Sequence, residues 1–522
     1  MLINIYFWCF FMAIREDRIG EIISIDDVKS FIPSTHPCFL VEKIVDRVDF
    51  SEWEEIHWDK PGNPAYHPRV LLRGVVQGYI DGIKSGRELG RRVKTDLAYI
   101  YLCGIDAPDF RTFNRFYKDF AEVIVWTLVE TINYAKEIGM LKIGILGLDS
   151  TTVKANASVF NVASEKQIKA ILKTVYDIIL KNEEEDELFG DESGDEIPIN
   201  LDDDEEFEKY YQIVVEYAKE QLDGEKLTFP SKKQLRGAIK NPERTVKNLE
   251  TSLENLKESG QRTVNLTDNE SRWHHNKKSR GECGYLVQNI VELTSGLTML
   301  SQATPLATDV RQFTPMFELY EEIYGKIGNE IPLDADYGYW HEDTLKEIIE
   351  HGWDAYIPNK MLASASKKSP SDIEKSSIYH FVFSEDYSYC TCPHGHKLTK
   401  HELEMTKKGL KTSYHMDNSV ICKYCPDHYK CCNFSRRKEI IMYLGDPDTD
   451  MFMKMQTERG REIYKHRFSR GESPFGLAKE HKGMNQARAK GTQHMTTQAL
   501  LTSIATNIQK INNYEIKNEK NT

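Results

Sequence analysis

Three acidic residues stand where rigid metal ligands can be built. Asp149 ends the short apolar run KIGILGLDS, Asp336 follows the run EIPLDAD, and Glu472 lies in a later segment of helical pattern. Two aspartates at strand ends, completed by an acidic residue from a later helix, could hold two Mg²⁺ or Mn²⁺ ions roughly 4 Å apart, because hard cations demand carboxylate oxygens. Such a pair activates a water or a 3′-hydroxyl and stabilises a leaving oxygen, which is what phosphodiester cleavage requires. By residue type alone, each aspartate is as readily a helix cap or a turn residue. Asp334, two residues before Asp336, shares its strand face and is either an accessory ligand or a structural aspartate.

A second group of residues suggests a different metal. Six of the ten cysteines fall within residues 390–432, in CTCPHGHKL and CKYCPDHYKCC. Cys422 and Cys425 are a C-x2-C pair, and with Cys392 and Cys431 they suit tetrahedral zinc in a reducing compartment. Cys390, Cys432, His394 and His396 compete as ligands, and a set of free thiols in a loop is the alternative. A zinc here would be structural, holding an insertion with little apolar core. Cys9, Cys38, Cys103 and Cys283 are scattered and read as small core residues.

The elements that must position these groups follow from periodicity. Residues 66–120 are helical: Val70, Leu71, Val75, Tyr79 and Ile83 recur at spacings of three and four. A second helix starts at SGRELGRRV and a third at APDFRTFNRF, opened by Asp109. An amphipathic helix covers 122–140, and a buried strand then runs to Asp149. Residues 164–272 are polar and largely helical around an acidic loop. CGYLVQNIVELTSGLTMLSQATPL reads as a hairpin turning at TSG. A helix at 309–325, the strand to Asp336, a helix closed by Gly352 and the short strand WDAYIPN follow. The pattern is mixed over 360–460 and helical again from 471 to 512. A hairpin-led sheet continuing as strand–helix–strand fits an α/β fold with an RNase H-like core. The domains expected are a helical unit over 1–125 and a catalytic domain over 140–512, with insertions at 160–275 and 360–460.

The net charge of −13 over 522 residues is local in origin. Residues 183–208 carry fifteen acidic side chains and no Lys or Arg, and the rest of the chain sums to +2. That stretch reads as a solvated loop. Residues 61–120 hold ten basic against six acidic side chains, and residues 454–490 hold ten against four. Local excess of this kind serves phosphate binding or is ordinary surface. The apolar start INIYFWCFFMAI is too short to span a bilayer and lacks a preceding basic region. It reads as a buried first segment or as the product of a start codon upstream of the real one. A cytoplasmic protein without a membrane partner is expected.

The surroundings of the three acids resemble a known family. GLDSTTVKANAS resembles the first-aspartate motif of DDE insertion-sequence transposases, and DADYGYWHEDTLKEIIEHGWDAYIPN resembles their second, a D-x-G-Y element followed by a helix and a strand. YKHRFSRGESPFGLAKEHKG resembles the YREK-type C-terminal signature, its members falling at Tyr464, Arg467, Glu472 and Lys479. Six residues separate Glu472 from Lys479 as in the family. Four rather than three separate Arg467 from Glu472. The region from NPAYHPRV to FYKDF looks like the InsH-like N-terminal domain of the same transposases, KSRGECGYLVQNIVELTSGLTMLSQATP like their central hairpin, and the Cys-Pro and C-x2-C-P elements like those of their insertion.

The resemblance implies that Asp149, Asp336 and Glu472 bind two divalent ions for cleavage of transposon ends and strand transfer into target DNA. It further implies that Tyr464, Arg467 and Lys479 contact DNA phosphates, with the protein acting as a homodimer on DNA. An RNase H-like nuclease without strand transfer, and a DNA-binding protein that has lost catalysis, are the competing functions.

Overall fold

The computed structural model describes residues 25–57, 66–83, 85–104, 108–119, 121–159, 161–169, 171–172, 205, 241–274, 281–366, 377–407, 409–432, 435–470, 476, 478–479 and 482–520. Glu472, the acidic stretch 183–208 except Glu205, and the apolar start lie outside these residues.

The N-terminal part is helical, as its periodicity requires. Helices Cys38–Val45, Pro68–Ile80, Gly86–Thr95, Leu97–Cys103 and Phe110–Asp119 each start where a local signal allows. Ser85 caps Gly86–Thr95 by accepting from the Glu88 N–H, and Asp109 accepts from the Thr112 N–H at 2.8 Å. Val75, Leu71 and Tyr79 of Pro68–Ile80 are buried. The helix Ala121–Glu137 then runs across the boundary expected between the helical unit and the catalytic domain. Apolar residues of the N-terminal helices belong to one continuous core with those of the sheet that follows.

That sheet is built around β1 (Leu146–Lys154), with the short strands β2 (Val162–Ser164) and β3 (Thr263–Asn265) pairing separately beside helix Pro242–Ser259. The strands β4 (Arg272–His274), β5 (Glu282–Glu292), β6 (Thr298–Thr304), β7 (Leu333–Ala335) and β8 (Ala355–Tyr356) complete it. Antiparallel to β1 runs β5, which is itself antiparallel to both β4 and β6. On the other side β7 is parallel to β1, and β8 is parallel to β7. The expected hairpin turn is present, with Gly296 at φ +71°, a conformation glycine adopts without strain.

One strand differs from expectation. Asp149 is not the last residue of β1, because β5 is long enough to pair with it as far as Lys154. The parallel neighbour β7, however, pairs only as far as Leu148. Asp149 therefore emerges where the parallel half of the sheet stops.

The 28-residue helix Thr492–Glu519 packs between β6 and the helices Ala121–Glu137 and Pro68–Ile80. It is buried through most of its length, and its polar residues meet polar needs of the sheet. Asn507 accepts from the Thr298 N–H at 2.9 Å and donates to the Thr298 carbonyl at 2.9 Å, so a side chain satisfies the edge of β6. The helix begins later than the sequence pattern implies. Residues 485–487 instead run beside the end of β1, with Lys154 N–H donating to Asn485 O and Ala487 N–H to Lys154 O.

Strands β9 (Val382–Phe383), β10 (Tyr389–Thr391), β11 (Lys397–Thr406), β12 (Gly409–His415) and β13 (Glu439–Leu444) form a second, antiparallel sheet with its own apolar core. Among the described residues, no helix is long and apolar enough to cross a membrane.

Candidate active site

Parallel pairing of Leu148 with Ala335 puts the next residues of both strands, Asp149 and Asp336, side by side. This is the carboxyl end of a parallel strand pair, where open α/β sheets commonly place their functional groups. Asp149 Oδ1 accepts from the Ser150 N–H at 2.9 Å. Asp336 Oδ1 accepts from the Gly338 N–H at 2.7 Å and so caps the short 3₁₀ turn Tyr337–Tyr339. The cap reading and the ligand reading of Asp336 are compatible, since a carboxylate has lone pairs to spare.

The sequence-predicted Arg467 joins this site from helix Glu458–Arg470, which lies against β7 and β8. Its guanidinium reaches Asp149 at 2.9 Å and Asp334 at 3.3 Å, and donates to the Leu148 carbonyl at 3.1 Å. Arg467 is 7% exposed. Burial opposes its charge, but the Asp334, Asp149 and Asp336 carboxylates outweigh that cost and hold it protonated. Asp334 is fully buried; burial pushes its carboxyl up, against the pull of Arg467. Burial likewise pushes Asp149 up to about 6, with Arg467 lowering it and Asp336 and Asp309 raising it. Asp334 thus serves as an internal partner of Arg467.

Tyr464, on the same helix, is buried in the main core. Lys479 is half-buried, and burial lowers the pKa of its ammonium while Glu282 raises it. Lys482 donates from Nζ to the Ile80 carbonyl, and the Arg488 guanidinium lies 4.1 Å from the centre of the Tyr79 ring. Both contacts tie the segment after Glu472 to the N-terminal helices. Glu472 itself lies outside the described residues.

Asp309, between β6 and helix Phe313–Tyr324, was not marked by any sequence pattern. It faces the same site: its Oδ1 accepts from Gln288 Nε2 at 2.9 Å, and burial pushes its carboxyl up, with the Ser150 and Gln288 side chains pulling it down and Asp336 raising it. Gln288 is held in turn by Tyr339, whose hydroxyl donates to Gln288 Oε1. Burial and the nearby carboxylates keep Tyr339 protonated and able to donate. A lone Asp ahead of a helix has the look of a cap, and only the fold shows what it faces.

Most of the clustered cysteines line a common cavity. Cys392, Cys422, Cys425 and Cys431 line one small cavity together with Cys432, His394, His396 and His428. Two tight turns present Cys392 and the Cys422–Cys425 pair: Gly395 N–H donates to Cys392 O, and Cys425 N–H to Cys422 O, while Cys431 lies on helix His428–Cys432. Cys390 is instead packed in the core of the second sheet, its thiol pushed up to about 12 by burial. His394 is engaged with Asp427 at 2.8 Å. On the same sheet, His401, His415 and Asp417 bring candidate ligand atoms within 4.8 Å of one another. There, Arg437 Nη2 stands 3.2 Å from His415 Nε2 and occupies the approach with a cation.

The comparisons with known proteins agree with this architecture. Residues 26–119 match the family described as Transposase domain (DUF772), and residues 391–512 match the Transposase DDE domain. No curated protein matches the chain. Carrying a transposase domain at each end, the chain is a DNA transposase of the insertion-sequence DDE class. Neither match covers residues 120–390, where Asp149, Asp309 and Asp336 lie.

Replacing Arg467 by Met leaves Asp149 and Asp334 facing each other in a buried space without their cation. Removing one partner of such a pair costs about 3–5 kcal/mol. Because both carboxyls have folded-state pKa values raised above their unfolded ones, the cost is smallest at low pH and grows as pH rises through about 6. Adding Asp334→Leu should recover much of the loss. Urea unfolding at pH 5 and pH 8 checks this, and an unchanged midpoint for Arg467→Met at pH 8 would contradict the arrangement.

Proposed function

We propose that Asp149, Asp336 and Glu472 form the divalent-metal centre of an RNase H-like catalytic domain spanning 140–512, preceded by a DNA-binding helical domain over 1–125. The observation that carries this reading is the exit of Asp149 and Asp336 side by side from parallel strands. Support for an RNase H-like layer comes from strand order: β6, β5 and β1 are antiparallel, and β7 and β8 continue parallel to β1. The donor set fits Mg²⁺ or Mn²⁺, since it is all carboxylate oxygen and has no soft ligand. Two such ions, when bound, would polarise the scissile phosphate and lower the pKa of the attacking oxygen.

The chain's own residues then have separable tasks. Asp149 and Asp336 are fixed by backbone N–H groups, so their geometry is set before any ligand arrives. Arg467 balances their charge from inside the protein. Water attacks the phosphorus at the transposon end; the P–O3′ bond to the transposon breaks and leaves a 3′-hydroxyl. That hydroxyl attacks a target phosphorus, displaces the target 3′-oxygen and joins the two DNAs. Exposed Arg91 and Arg92 on helix Gly86–Thr95, with Lys479, supply phosphate contacts. Tyr464 and Arg467 would reach DNA only if their helix shifts. The working form is a cytoplasmic homodimer on DNA.

Incubating the protein with labelled ends of its element, plasmid and Mg²⁺ tests the proposal. Strand-transfer products are expected, and Asp149→Ala should abolish them. Nicking without joining would favour a nuclease, and DNA binding without cleavage in any divalent metal would favour a protein that has lost catalysis.

We also propose a structural Zn²⁺ on Cys392, Cys422, Cys425 and Cys431, supported by their meeting at one cavity. Four thiolates, three from two tight turns and Cys431 from helix His428–Cys432, suit tetrahedral zinc. Metal analysis of the purified protein should give about one zinc per chain, and Cys425→Ser should lose it. A zinc-free protein of unchanged thermal stability would overturn this assignment.

A further inference from the structure

We infer that Asp309 is a fourth carboxylate of the metal centre, one that helps hold the divalent ion. The inference rests on the metal-centre reading above. Two independent placements bring Asp309 to the site. Gln288 Nε2 fixes its Oδ1 at 2.9 Å, from the β5 position that pairs with Ser150, the neighbour of Asp149. A Cβ built on Gly338 would lie 2.9 Å from Asp336 Oδ1 and 3.2 Å from Asp309 Oδ2. Asp309 and Asp336 thus border the one space that a side chain at 338 would fill, and glycine keeps that space open.

The polar support is directional. Tyr339 donates to Gln288 Oε1, which leaves the Gln288 amide nitrogen turned toward Asp309. Gln288 is fully buried, so its amide is not free to flip without leaving buried groups unpaired. Such support fixes how a ligand carboxylate points, and outer partners of this kind typically change metal affinity 10–100-fold. Burying several like charges together is costly unless a cation offsets them. Arg467 faces Asp149 and Asp334 directly, and among the described residues its ion pairs are with those two and not with Asp309. The Asp309–Asp336 side of the site is therefore where an added cation gains most.

Mn²⁺ binding to the full-length protein, followed by electron paramagnetic resonance without DNA, tests this apart from activity. Wild type should bind Mn²⁺, and Asp149→Asn should abolish or strongly weaken binding. Asp309→Asn, which keeps the shape and the bond from Gln288, should weaken binding at least ten-fold. Asp309→Ser should do the same, and thermal melting verifies that each variant is folded. If wild type binds and both Asp309 variants bind as tightly, the inference fails and the metal-centre reading stands. If wild type binds no Mn²⁺, that reading fails and takes this one with it.

Discussion

The site depends on how one buried guanidinium offsets carboxylates that the sheet forces together. Parallel pairing of β1 with β7 brings Asp149 and Asp336 to one edge, with Asp334 buried one residue before Ala335. Left alone, such a group would protonate or push the strands apart. Arg467 prevents this by reaching Asp149, Asp334 and the Leu148 carbonyl from a helix far later in sequence, 319 residues after Leu148 and 133 after Asp334. The same contact fastens helix Glu458–Arg470 to the sheet, so charge balance and tertiary packing are one constraint.

That constraint explains what the sequence shows and what it hides. Asp149 and Asp336 are legible because each follows a short run of strand pattern inside a motif that resembles the family's. The hairpin at Gly296, the helix closed by Gly352 and the caps at Ser85 and Asp109 are legible because each depends on neighbours within a few residues. Asp309 is not, since its donor Gln288 lies on β5 and Gly338, beside it, follows β7. Nor does residue type reveal that Arg467 faces inward. An arginine in a basic segment reads as a surface phosphate contact, and only the β1–β7 pairing supplies the anions that draw it inside. The late start of helix Thr492–Glu519 is hidden for a similar reason: residues 485–487 are held by Lys154, a non-local pairing.

The C-terminal segment packs against the N-terminal helices. The segment after Glu472 is joined to helix Pro68–Ile80 through Lys482 and Arg488, and helix Thr492–Glu519 packs on both the sheet and the N-terminal helices. The apolar residues of the N-terminal helices and of the sheet form one shared core.

The central claim is that Asp336 ligates the divalent ion that drives DNA joining. Replacing it by Cys tests this most directly, because a thiolate binds Mg²⁺ poorly and the softer Mn²⁺ better. In a strand-transfer assay, Asp336→Cys should be inactive with Mg²⁺ and regain activity with Mn²⁺. Full activity of Asp336→Cys with Mg²⁺ would contradict the account.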